Sequence, residues 1–246
     1  SAAAETDAEP AGGNTGRFPL GHYLITPDGR KYRYALNDAT VEVAGNLYQS
    51  AVSVADHRAR ACDVARAIGA VVISASLGAT AAAEDIYNEG IVHVGASAGA
   101  AYAYRVRRAR GNADGHASVA ASVVLSVNLE ADSSVQVALT TGSSVSFARN
   151  RFREVLLTPA STPSARLAGV SPGVAAADRY YWSQVSGEAA VLADLTLLAG
   201  KPVQASIAVA GAVESHKRRV TTGGGTVASS TAFLPLLDSG WVTTTV

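Results

Sequence analysis

Short runs of alternating apolar and polar residues, broken repeatedly by Gly, Asn and Asp, are the feature that most limits what this chain can fold into. Gly21-His22-Tyr23-Leu24-Ile25 runs into Pro27-Asp28-Gly29 and then Lys31-Tyr32-Arg33-Tyr34, a hairpin signature. Further strands are expected over 41–43, 47–54, 60–67, 71–77, 90–94, 101–108 and 119–129. Only 79–88 has room for a helical turn or two. Such a series argues against alternating strands and helices. The expected fold is all-β: two small β-barrel or β-sandwich lobes with an extended N-terminal arm.

Residues 1–17 form the expected arm, with a disordered tail as the alternative; the segment is rich in Ala and Gly, without period, and carries Glu5, Asp7 and Glu9. A first β-rich domain is expected over 18–158. Pro159, Pro163 and Pro172 interrupt any regular element, so 159–172 reads as a linker. A smaller β-rich domain then covers 173–246. In it Arg179-Tyr180-Tyr181-Trp182-Ser183-Gln184-Val185, Gly187 and 189–193 read as strand, tight turn and strand, and 203–209 follows the Gly200-Lys201-Pro202 turn as a third. Residues 221–226 are expected as a glycine loop and 241–246 as a β-branched terminal strand. No period of 20 to 50 residues marks a solenoid or propeller.

Composition narrows the partners. Only 16% of the residues are charged, against roughly 25% in ordinary soluble domains, while 48% are hydrophobic, mainly small Ala and Val. Such a surface suits a subunit covered by neighbours. Net charge is zero, so no general attraction draws the chain to nucleic acid or to an anionic membrane, and neither is an expected partner. The first residues lack the basic start and apolar core of a signal peptide, and no apolar run is long enough to cross a bilayer. Ser1 in a chain without Met leads us to expect a start from which the initiator was removed. The lone Cys62 is expected as a packing residue.

The residues that carry chemistry are scattered. His22, His57, His93, His116 and His216 fall in five different expected elements, without metal-ligand spacing. Asp56-His57 would point to opposite faces of a strand, and no Gly-x-Ser-x-Gly turn accompanies it. The glycines at 223–225, and Gly95 with Gly99, lack the residues of phosphate or dinucleotide loops. We therefore expect no enzyme, no catalytic or metal residues and no cofactor. Tyr32 with Tyr34, Tyr102 with Tyr104, and Tyr180 with Trp182 each place two rings on one strand face, serving a core, an interface or a sugar. Two basic clusters, Arg105-Val106-Arg107-Arg108-Ala109-Arg110 and His216-Lys217-Arg218-Arg219, would face solvent or an acidic partner.

Two stretches carry a resemblance. Asn88-Glu89-Gly90-Ile91-Val92-His93-Val94 with Gly99 and Tyr104-Arg105-Val106 is one. Tyr181-Trp182-Ser183-Gln184-Val185-Ser186-Gly187-Glu188-Ala189-Ala190-Val191-Leu192-Ala193-Asp194, continuing through Gly200-Lys201-Pro202-Val203 to Gly211-Ala212-Val213, is the other. Together, over about a third of the chain, they resemble the accessory head proteins of tailed bacteriophages, the capsid decoration or cement proteins of marine-phage type. The tail, with Leu234-Pro235-Leu236-Leu237, departs from that pattern. The resemblance implies a non-enzymatic structural protein, made in the host cytoplasm and bound to the outer capsid surface. It implies the major capsid protein as partner, together with the chain itself as a homo-oligomer, a homotrimer or another symmetric assembly. A virion receptor or carbohydrate-binding protein is the alternative. Candidate contact residues are Glu5, Asp7, Glu9, Arg17 and Phe18 on the arm and its root, and Arg105, Arg107, Arg108, Arg110, Lys217, Arg218 and Arg219 in the basic clusters.

Overall fold

The computed structural model describes residues 16–108, 115–197 and 202–216. The expected arm up to residue 15, Arg110, the 217–219 cluster, the 221–226 loop and the 241–246 strand lie outside them. The described chain is nearly all β, built from several antiparallel sheets. Its elements are β1 (Tyr23–Ile25), β2 (Lys31–Leu36), β3 (Leu47–Gln49), β4 (Arg60–Ala61), β5 (Val72–Ser76), β6 (Ile91–Ala96), β7 (Ala103–Arg105), β8 (Val124–Asn128), β9 (Ser144–Ala148), β10 (Leu156–Leu157), β11 (Leu167–Val170), β12 (Tyr180–Ser186), β13 (Val203–Ala205) and β14 (Val213–Ser215).

The largest sheet runs β1-β2-β12-β11-β3-β10. The expected hairpin is its first pair, with Leu24 opposite Tyr32 across the Pro27-Asp28-Gly29 turn. Alternation along β2 sends Tyr32 and Tyr34 inward, where they are completely buried. β12 aligns Tyr180, Trp182 and Gln184 with Leu36, Tyr34 and Tyr32. This pairing crosses the boundary expected at 159–172, and that segment contains β11, hydrogen-bonded between β12 and β3. β12 does not turn back onto 189–193 as expected; it lies between β2 and β11, and Ala193 makes a single bridge to Val213. Gly169 in β11 has a φ of 143° and stands where a Cβ would come 2.6 Å from the Gln184 carbonyl oxygen, which explains why a residue without a side chain sits at the bulge.

A second sheet runs β4-β9-β6-β7, and β5-β8 and β13-β14 form two further pairs. Ile73, Leu125, Val92, Val145, Phe147 and Tyr104 fill one core between the second sheet and β5-β8. Tyr32, Tyr34, Phe152, Tyr180 and Trp182 belong to another. Leu47, Leu167, Val170, Ala205 and Val213 form a third, smaller cluster. Cys62 is buried in the first, and burial pushes its thiol up. The helical turns expected at 79–88 are irregular turn; short 3-10 turns occur instead at Ala55–His57 and Ala131–Ser133.

One local arrangement occurs three times. Two segments meet at a single antiparallel bridge: Glu42 with Ala175, Arg66 with Leu139, and Ala82 with Val119. Three residues past most of these positions the backbone turns left-handed, at Gly45, Gly69, Asp85, Ser122 and Asp178. The turning N–H then reaches back to the facing segment. Gly45 donates to Ser171 O and Asp178 to Asp38 O, both at 2.8 Å, so the two segments exchange roles as if related by a local twofold axis. Gly69 donates to Val135 O and Ser122 to Gly78 O in the same way. These corners explain why runs such as 41–43 read as strands and form only one bridge.

Candidate functional site

The first basic cluster lies at the end of β7, where alternation leaves Arg105 and Arg107 exposed and buries Val106 between them. With Pro19, Arg108, Glu130, Ala131 and Asp132 they line a cleft of about 550 Å³. Arg108 is drawn inward. Its Nε lies 3.2 Å from Glu89 Oε1, its Nη2 donates to Gly16 O, and its backbone N–H donates to Glu130 Oε1 at 3.0 Å. Glu89 Oε2 also accepts the Leu20 N–H at 2.6 Å, and Asn150 Nδ2 donates to Glu89 O. Burial pushes the Glu89 carboxyl upward, while the Leu20 N–H and Arg108 pull it back. Arg108 therefore ties Gly16 to the turn before β6, and the acids lining the cleft offset its arginines.

Arg17 and Phe18 follow Gly16 along the same face. The Arg17 N–H donates to the Tyr34 hydroxyl at 3.2 Å. The Phe18 ring stacks on His22, with centroids 5.1 Å apart, and packs against Tyr34 and Trp182 at 5.5 Å each. Gly16 rests on the Tyr180 ring, so closely that a Cβ would meet Cε1 at 2.6 Å. Segment 16–22 thus straps the aromatic face of the large sheet. Tyr32, Tyr34, Tyr180 and Trp182 are buried; of the three aromatic pairs, only Tyr102 offers an exposed ring, and it stacks on buried Tyr104.

Three of the histidines are held by side-chain hydrogen bonds. His57 Nε2 faces Thr80 O at 2.9 Å and therefore carries the proton, which leaves Nδ1 to accept from the Tyr87 hydroxyl. His116 Nε2 accepts the Tyr87 N–H at 3.1 Å and Nδ1 faces Ala117 O. Burial holds the His116 imidazole below its ordinary range and pushes the Tyr87 phenol up to about 12. Asp56 accepts from the Thr80 hydroxyl, not from His57. His93 lies exposed on β6 on the same face as Ile91, and His216 Nδ1 is 2.7 Å from Gln204 Oε1. The described residues contain no group of three or more His, Cys, Asp or Glu arranged to hold a metal ion.

The fold gathers a third basic group that no local spacing announces. Arg33 on β2 and Arg151 in the turn after β9 flank Phe152, with guanidinium carbons 5.8 and 5.4 Å from its ring centroid. Arg33 also lies over Tyr23, 3.1 Å from the centroid, and donates to Gly21 O at 2.6 Å. Arg151 Nε donates to Leu167 O at 3.1 Å, beside exposed Arg166. Burial lowers the Arg151 pKa first, and the charges of Arg166 and Arg33 lower it further. Among the described residues none of the three arginines is in an ion pair. Comparison of the chain with protein-family models, with curated proteins and with solved structures gives no match.

Proposed function

We propose that this chain is a capsid decoration protein, a non-enzymatic subunit that binds the outer surface of a tailed-phage head and bridges major capsid protein subunits. The carrying observation is the apolar surface at the corners. Val41, Val43 and Val174 flank the Glu42–Ala175 bridge and are 58%, 52% and 62% exposed, and Ile68 and Val71 stand open around Gly69. Apolar side chains grouped at corners of a chain poor in charge suit a surface covered by neighbours. In this reading the two larger cores are two lobes, and residues 1–17 are an arm that leaves the body where Arg108 holds Gly16. Many weak contacts repeated by symmetry then resist the outward pressure of packaged DNA without any chemistry.

Light scattering on the purified protein, followed by sedimentation with empty phage heads, tests the reading. A trimer that co-sediments at a stoichiometric ratio supports it; a monomer that stays in the supernatant overturns it. Exposed Tyr102 is the feature that favours the alternative, a carbohydrate-binding virion protein. A glycan array on the Tyr102→Ala variant separates the two.

A further inference from the structure

Arg33 and Arg151, far apart in the sequence, meet around Phe152, with Arg33 also over Tyr23 and exposed Arg166 next to the Leu167 carbonyl that Arg151 holds. Gly21 O and Leu167 O fix two of the guanidiniums, so little rotamer freedom remains to be lost when an anion arrives. Among the described residues none of the three is in an ion pair. Beside them β1 is the outer strand of its sheet, with Tyr23 and Ile25 exposed. An extended acidic segment fits such a place.

The chain carries one. In Glu5-Thr6-Asp7-Ala8-Glu9 the acids alternate, so an extended backbone presents all three carboxylates on one side, about 6.6 Å apart. We propose that the Arg33–Arg151–Arg166 patch receives the Glu5–Glu9 segment of a second copy of this chain. The second copy is favoured because Gly16 rests on Tyr180, on the sheet face shared with Tyr34, whereas Arg33 alternates to the opposite face. The arm's root thus starts on the wrong side for its own arginines. The proposal rests on the self-assembly part of the functional reading and not on capsid binding.

Two full-length variants test it by light scattering: one with Glu5→Lys, Asp7→Lys and Glu9→Lys, the other with Arg33→Glu, Arg151→Glu and Arg166→Glu. Each alone should self-associate at least tenfold more weakly than the native chain. An equimolar mixture should recover part of the association, since an arm of one variant then meets an opposite charge on a copy of the other. Raising the salt should weaken the native association. A native chain that is monomeric, variants that associate as the native chain does, or a mixture that fails to recover would overturn the proposal. Melting curves check folding, and exposed Arg166→Glu alone serves if the triple variant does not fold. Native chains that assemble but do not co-sediment with heads would sink the capsid reading and leave this one standing.

Discussion

Arg108 Nε and Glu89 Oε1 stand 3.2 Å apart, with side chains only 16% and 8% exposed. Removing one member of so covered a pair strands the charge of the other, which costs about 3 kcal/mol or more. Arg108→Ala should lower stability by about that amount in urea unfolding, whereas Arg105→Ala on the exposed face should stay within about 0.5 kcal/mol. Equal effects would contradict the internal role of Arg108.

Glu42 is fully buried, and burial pushes its carboxyl from the ordinary 4.5 up to about 8, partly offset by Tyr181 and Ser171. The native state therefore keeps this proton up to about pH 8, while the unfolded chain releases it near 4.5. Between those values the native state binds more protons, so the stability associated with Glu42 is fully present below pH 4.5 and is lost as the pH rises through 8. Over that window the loss is on the order of a few kcal/mol. Urea unfolding at pH 5 and pH 8 should show the decline, and Glu42→Gln should flatten it relative to the native chain.

Gly169→Ala should be among the most damaging single substitutions. A methyl group there meets the Gln184 carbonyl oxygen, a backbone atom that cannot rotate away, and the φ of 143° is hostile to a side chain. A loss of at least about 2 kcal/mol is expected in thermal or urea unfolding. An Ala variant as stable as the native chain would place the β11 bulge elsewhere.

Trp182 and Tyr102 should separate core from surface. Trp182 packs against Tyr34, Phe18 and His22, so Trp182→Ala should cost about 3–5 kcal/mol, while Tyr102→Ala should change stability by less than about 1 kcal/mol. Calorimetry on both variants checks this. It also means that, of the paired aromatics, only Tyr102 can report on sugar binding without first disturbing the fold.

Strands that alternate cleanly were legible in the sequence. β2, β5, β6 and β12 lie within or close to the expected ranges, because Tyr32 and Tyr34, or Val92 and Val94, mark a buried face by themselves. β9 was not expected, although Val145 and Phe147 alternate with small polar neighbours. β11 was hidden by the prolines around it, which forbid long regular elements but leave room for four residues. The pairing of β2 with β12 has no local signal, since register between segments so far apart is set by packing. The basic run at 105–110 was visible, but not the inward turn of Arg108, which depends on a glutamate nearly twenty residues earlier in the chain. The Arg33, Arg151 and Arg166 group was illegible for the same reason.

The pairing of β2 with β12 also sets a timetable for synthesis. On a ribosome, the strand bearing Tyr32 and Tyr34 emerges early and has only β1 beside it until residues 180–186 follow. Closing so long a loop is slow, and the waiting tyrosines form a sticky surface on the nascent chain. The residues around Cys62 to Phe147 can gather their own core in the meantime, because none of its members lies outside that stretch. A chain released before residue 180 would leave β2 without the strand that covers its second edge.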